Sequence, residues 1–190
     1  SAGVGYALAC RARNHPGHVF VLMSDGEQVK GQVAEARRMA VKEGLSGLTA
    51  MIDYNHIQIS GRIEEIMPSN LPALWKADGW EVLECEGQDP AALYKQMAFA
   101  RKVQRPVVIL CHNMMGKGVS FMEGLPDYHG KAATGELYEK AMLELGFSAS
   151  LMETAIQTRK VSDFPYPGHP LPGQVCLETG KPREYGSDTK

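Results

Sequence analysis

The sequence predicts an α/β fold, a parallel sheet with helices on both faces, and three observations carry that prediction. Four short apolar runs containing β-branched residues, at 19–23, 48–52, 80–85 and 106–111, have the length of strands rather than of helices. Between them lie stretches of helical composition at 32–42, 71–78 and 90–102. Strands that alternate with helices are joined in parallel, because a parallel pair needs a long crossover and that crossover is usually a helix.

Each element has its own signal. Residues 1–13 are rich in Ala and Gly and read as a helix that packs closely on its neighbour, ended by the turn cluster Asn14-His15-Pro16-Gly17. The stretch at 32–42 mixes apolar with charged residues, as a half-buried helix does, and the one at 71–78 is short. The helix at 90–102 opens with Pro90, whose fixed φ suits a first helical turn, directly after Asp89, a good N-cap. Residues 112–131 read as a functional loop and 135–145 as a further helix closed by Gly146. From 161 to 190 the chain is dense in Pro, Gly and polar residues. We therefore expect one ligand-binding domain over 1–160 and a linker or extended arm over 161–190. There is no internal repeat.

Composition bounds the function. A chain of 190 residues suffices for one well-cored domain, and 44% hydrophobic with 22% charged residues is ordinary for a globular protein. The net charge of -2 gives no electrostatic reason to expect nucleic acid or an anionic membrane as partner. No apolar run approaches the ~18–20 residues that span a bilayer, and the first residues lack the basic-then-apolar pattern of a secretory signal, so a cytoplasmic protein is expected. Cys10, Cys85, Cys111 and Cys176 are far apart, without a CxxC pair or a His at zinc spacing. Cys85 and Cys111, each ending an apolar run, are expected to be small buried hydrophobes.

In an open parallel sheet, ligands bind beyond the carboxyl ends of the strands. Two places qualify. The run at 19–23 leads into Ser24-Asp25-Gly26-Glu27, and the run at 48–52 into Asp53-Tyr54-Asn55-His56-Ile57-Gln58-Ile59-Ser60-Gly61. The 30 positions between Asp25 and Asn55 fit one strand end, one crossover helix and a second strand end. An Asp carboxylate, an Asn carbonyl and a backbone carbonyl are hard oxygen donors, suited to Mg2+ or Ca2+ and poorly to Zn2+. Mg2+ takes about six oxygens and shares them with water and phosphate, so a site with few protein ligands implies a phosphorylated cofactor, which Gly26 would let the main chain approach. Taken singly, Asp-Gly after a strand also fits a plain turn, and Asn55 a turn former.

Together these residues resemble a family. Asp25-Gly26 followed by Asn55 is similar to the thiamine diphosphate motif of transketolases, decarboxylases and related enzymes. The narrower resemblance is to transketolase, and it covers most of the chain. Ser1-Ala2-Gly3-Val4-Gly5-Tyr6-Ala7-Leu8-Ala9 resembles the end of that family's glycine-rich helix. The segment from Asp53 to Gly61 resembles its metal loop, and Gly116-Lys117-Gly118-Val119-Ser120-Phe121-Met122-Glu123 and Tyr128-His129-Gly130-Lys131-Ala132 its later segments. The resemblance implies that Asp25, Asn55 and the carbonyl of Ile57 hold Mg2+, with Ca2+ able to substitute. It also implies that Gly26 supports the diphosphate, that Ile59 lies against the cofactor's ring region, and that His129 faces the diphosphate and the substrate channel. Without the resemblance, Ile59 reads as core and His129 as a structural hydrogen-bonding group. His56 is taken as structural, since such a metal prefers oxygen.

The activity so implied is transfer of a two-carbon ketol unit from a ketose phosphate to an aldose phosphate, with His129 as proton donor or substrate contact. Ser24 stands where the family commonly has Gly, and Lys30 where it usually has a Glu that links two active sites across a subunit interface. The family's early histidines would precede Ser1, and its pyrimidine-binding domain would follow Lys190. The expected protein is therefore one component of a split enzyme, or one piece of a longer chain. It would work with a chain carrying the pyrimidine-binding and C-terminal domains, in a hetero-oligomer built on a dimer. The alternatives are another thiamine diphosphate enzyme, such as a 1-deoxyxylulose-5-phosphate synthase, and a non-catalytic regulatory or assembly subunit that keeps the fold.

Overall fold

A computed structural model describes residues 1–148 and Leu151. The first helix, α1 (Ala2–Ala12), leads through a turn to strand β1 (Val19–Ser24), a single 3-10 turn (Gly26–Val29) and α2 (Gly31–Lys42). Strand β2 (Leu48–Tyr54) follows, then a two-residue pair, β3 (Ile57–Gln58) and β4 (Gly61–Arg62), and the short helices α3 (Ile63–Ile66) and α4 (Leu71–Ala77). The described part closes with β5 (Glu81–Glu86), α5 (Pro90–Ala100), β6 (Val107–His112), a 3-10 turn (Pro126–Tyr128) and α6 (Glu136–Glu144).

The main sheet has four parallel strands in the order β1-β2-β6-β5. Its two central strands are the most apolar, as strands covered on both faces must be: Val107, Val108, Ile109 and Leu110 of β6 are wholly buried. One face packs Ile52, Ala50 and Leu110 with Ala7 of α1, Ala40 of α2 and Leu71 and Trp75 of α4. The other packs Val107, Ile109 and Cys111 with Leu93, Met97 and Ala100 of α5. The predicted α/β class with helices on both faces is the observed one.

Local chemistry explains the element ends. Asn70 and Asp89 cap α4 and α5 by accepting the N–H groups of Ala73 (3.1 Å) and Ala91 (2.9 Å), each cap worth about 1 kcal/mol. Helix α1 lies so near the sheet at Gly3 that a Cβ there would stand 2.3 Å from the Val21 side chain, which accounts for glycine at that position. The buried Arg37 is tied on two sides, by an ion pair with Asp78 at 2.7 Å and by the Trp75 ring 5.2 Å beneath its guanidinium.

Strand and helix boundaries match the sequence reading to within two residues. The β3-β4 pair, α3 and the first 3-10 turn had no counterpart in it, because elements of two to four residues are too short to show a period. Cys85 and Cys111 stand opposite each other across β5 and β6. Cys111 is buried and its thiol is pushed up to about 12, chiefly by desolvation, while Cys85 is half-buried. The arm expected over 161–190 lies outside the described residues.

Candidate functional site

The parallel pairing of β1 with β2 sets Ser24 beside Asp53, so the residues just beyond them leave the sheet at adjacent strand ends. Asp25 and Asn55 are brought together there. The Asp25 N–H donates to the carbonyl of Asp53 (3.2 Å), and its Oδ2 accepts the N–H of His56 (2.8 Å). Asn55 is held at both ends of its amide. Its Oδ1 accepts the N–H of Ile57 (2.8 Å), and its Nδ2 donates to Oδ2 of Asp53 (3.2 Å). The other Asp53 oxygen accepts from Nδ2 of Asn113 (2.6 Å), beyond the end of β6.

His56 makes this turn possible. Its φ of +62° lies in the left-handed region, which His tolerates better than most side chains, and its ring stacks on Tyr54 with 4.1 Å between centroids. Its Nδ1 lies 2.9 Å from Glu64 Oε1, so the imidazole is spent on packing and pairing, as a structural role requires. Beyond it the chain forms the β3-β4 pair, with Ile57 buried and Ile59 near the tip, 83% exposed. Ile59 is thus not a core residue of this chain.

Asp25, Gly26, Asn55, Ile57, Ile59 and His129 all line one cavity of about 340 Å³. That is within the usual range for a small-molecule site. His129 reaches it from the second 3-10 turn and is exposed. Asp25 is only 1% exposed, and burial pushes its carboxyl above the ordinary range. The N–H groups of His56 and Gly26 oppose that shift, while the Asp53 charge adds to it. In its ionised form, a carboxylate so placed is stabilised by a counter-charge.

Two further observations concern what the cavity could hold. An added Cβ at Gly26 would sit 3.5 Å from Gln58 Cγ, an ordinary contact, so packing within the chain does not demand glycine there. The Gln58 Nε2 is buried without a hydrogen-bond partner. It is a donor waiting for an acceptor, and a phosphate oxygen is one. Neither Gln58 nor the Asp53–Asn113 pair was singled out by the sequence. One local feature was visible there: Ser24-Asp25-Gly26-Glu27 carries the spacing of a capping box. Ser24 Oγ accepts the N–H of Glu27, and Glu27 Oε2 accepts the N–H of Ser24, both at 3.2 Å. Lys30 closes the group, its Nζ 3.0 Å from Glu27 Oε1. Those contacts hold the Glu27 carboxyl below its usual range, with Lys30 the main cause.

Residues 12–160 match the family described as transketolase, thiamine diphosphate binding domain. The chain belongs to this family. It is 38% identical over 149 residues to one subunit of the apulose-4-phosphate transketolase of Phocaeicola vulgatus, covering 76% of this chain and 52% of that protein. It is 36% identical over 147 residues to the 6-deoxy-6-sulfo-D-fructose transketolase subunit SqwG of a Clostridium species, covering 76% and 54%. The chain thus spans about half the length of these curated relatives. Among solved structures it is similar to transketolase from Campylobacter jejuni, with a TM-score of 0.72 and 27% identity, over 77% of this chain and 24% of that one. A domain of this family binds thiamine diphosphate.

Proposed function

We propose that this chain is the diphosphate-binding component of a split transketolase, which transfers a two-carbon ketol unit between sugar phosphates with thiamine diphosphate and Mg2+. The observation that carries the reading is the meeting of Asp25 and Asn55 at adjacent strand ends around one cavity. Asp25, Asn55 and the carbonyl of Ile57 would hold Mg2+, with Ca2+ as a substitute, and the cation would answer the buried Asp25 charge. Among the described residues no three His, Cys, Asp or Glu side chains form a metal cluster, so phosphate and water oxygens would complete the shell. Gly26 and Gln58 would take the diphosphate itself.

Thiamine diphosphate, when bound, supplies the carbanion chemistry. The chain's own residues do the rest of the work assigned here. Ile59, exposed at the cavity, offers an apolar surface to the cofactor's ring region. The His129 imidazole holds or moves a proton at a substrate oxygen. A partner chain carrying the pyrimidine-binding and C-terminal domains would complete the active site in a hetero-oligomer built on a dimer. The names of the relatives, each a transketolase subunit, support this division of labour. Domain limits of 1–160, with an arm over 161–190, and a cytoplasmic setting belong to the same reading.

The test has two stages: titration of thiamine diphosphate with Mg2+ or with a chelator, then a transfer assay from xylulose 5-phosphate to ribose 5-phosphate with and without the partner chain. We expect Mg2+-dependent binding and turnover only with the partner. Without the partner's preorganised groups the rate is expected to fall on the order of a thousandfold. Robust turnover by the lone chain would sink the split-enzyme reading. Cofactor binding with no turnover in the assembled complex would point instead to a regulatory subunit.

A further inference from the structure

We infer that Asp53 is a positioning residue of this site: set between the amides of Asn55 and Asn113, its carboxylate fixes which end of the Asn55 side chain is the oxygen offered to a cation. The inference rests on the reading of Asn55 as a cation ligand.

The two ends of an Asn amide are nearly the same size, so only hydrogen bonds decide their direction. Turning Asn55 over would set its Oδ1 against the Asp53 carboxylate and its NH2 against the N–H of Ile57, two repulsive contacts in place of two favourable ones. In the observed orientation Oδ1 accepts one N–H, from Ile57, and keeps its second lone pair for a cation. Asp53 sets this direction from the end of a central strand, and its carbonyl also receives the Asp25 N–H. The same residue therefore anchors both proposed side-chain ligands. Its own carboxylate is braced from a third strand end, because Asn113 donates its side-chain amide to Asp53 at 2.6 Å and its backbone N–H to Tyr54 O at 3.2 Å. Asp53 lines the same cavity, but each of its carboxylate oxygens already accepts an amide N–H, so it braces the ligands beside it.

An acceptor-only group does this with no neighbour turned over. A carboxylate can face two NH2 groups at once; an amide can satisfy both only if one neighbour turns over. Asn113 can turn at little cost, since its Oδ1 is buried without a partner. Asp53→Asn should therefore retain the bond to Asn55, whereas Asp53→Ala removes it.

The test uses the whole 190-residue chain and needs no turnover. Amide hydrogen exchange at Ile57, read by NMR without metal or cofactor, reports whether Asn55 Oδ1 remains in place. In Asp53→Ala the Ile57 amide is expected to exchange about five- to tenfold faster than in wild type, with β2 and β6 unchanged and Asp53→Asn in between. Mg2+ affinity in the presence of thiamine diphosphate is expected to fall about 10–100-fold in Asp53→Ala. Unchanged exchange at Ile57 overturns the inference, and so does a uniform rise through β2 and β6, which would mark a merely structural residue. Faster exchange at Ile57 with unchanged cation affinity overturns the cation reading of Asn55 and leaves the orienting role standing. If Asp53→Ala does not fold, Asn113→Ala decides: loss of the brace should raise Ile57 exchange, and no change there overturns the inference.

Discussion

Two loops meet at the cavity, and they are built differently. The 53–61 loop is tied to its surroundings through side chains: Asp53, Asn55 and Asn113 bond one another, Asp25 takes a backbone N–H from it, and His56 is wedged on Tyr54. The 116–131 loop is closed mostly by its own backbone, through bonds such as Gly124 N–H to Met115 O (2.9 Å) and His129 N–H to Pro126 O (2.9 Å). It carries His129 out to solvent. Gly116 shows how tightly that loop folds on itself, with φ at +71° and Met122 so close that a Cβ would lie 2.8 Å away. The difference suggests a division of tasks. On the proposed reading, groups for the charged end of a ligand are fixed in advance within this chain, whereas His129, proposed for the reacting end, stands on a loop exposed to solvent.

The largest effect that would sharpen this contrast is in turnover. His129→Ala should lower transfer by the assembled enzyme about 100-fold or more, with little change in cofactor affinity. Steady-state kinetics beside a cofactor titration would check it, and equal losses in both would break the division between loops. Next comes Ile59. Because it is 83% exposed, Ile59→Ala should leave the Tm of the unliganded chain within the range of ordinary surface changes. It should nevertheless weaken thiamine diphosphate binding about tenfold, from apolar surface that only the cofactor covers. A large fall in Tm would show that Ile59 belongs to this chain's packing after all. The smallest effect is expected at Lys30. Its pair with Glu27 is exposed, so Lys30→Glu should cost well under about 1 kcal/mol in denaturant unfolding. Its consequence should lie in activity or cooperativity of the assembled enzyme rather than in cofactor affinity. A large loss of affinity with unchanged activity and Hill coefficient would place Lys30 at the cofactor.

Much of this was legible in the sequence. The four β-branched runs gave the strands, and Asp25 and Asn55 stood out because each follows the end of a strand, where an open sheet binds ligands. Ile59 and His129 did not follow from the residues alone. A single Ile or His is ambiguous, and only the family resemblance pointed to the cavity that both line. Asp53, Asn113 and Gln58 were illegible for a different reason. Their part depends on which side chain faces which across strands 60 residues apart in sequence, as in the Asn113–Asp53 bond, and no local pattern encodes that. Ser24 and Glu27 lie between these cases: the spacing of a capping box was present, yet its neighbour Asp25 drew the reading.

The central claim is that Asp25, buried with a raised pKa, is kept for a cation. Thiamine diphosphate binding to the chain assembled with its partner, in Mg2+ and in a chelator, tests it most directly for wild type and Asp25→Ala. The account predicts that wild type loses affinity on the order of 100-fold or more when Mg2+ is removed, and that Asp25→Ala, still folded, binds as weakly with Mg2+ as without it. Wild-type affinity in Asp25→Ala, with the same dependence on Mg2+, would contradict it.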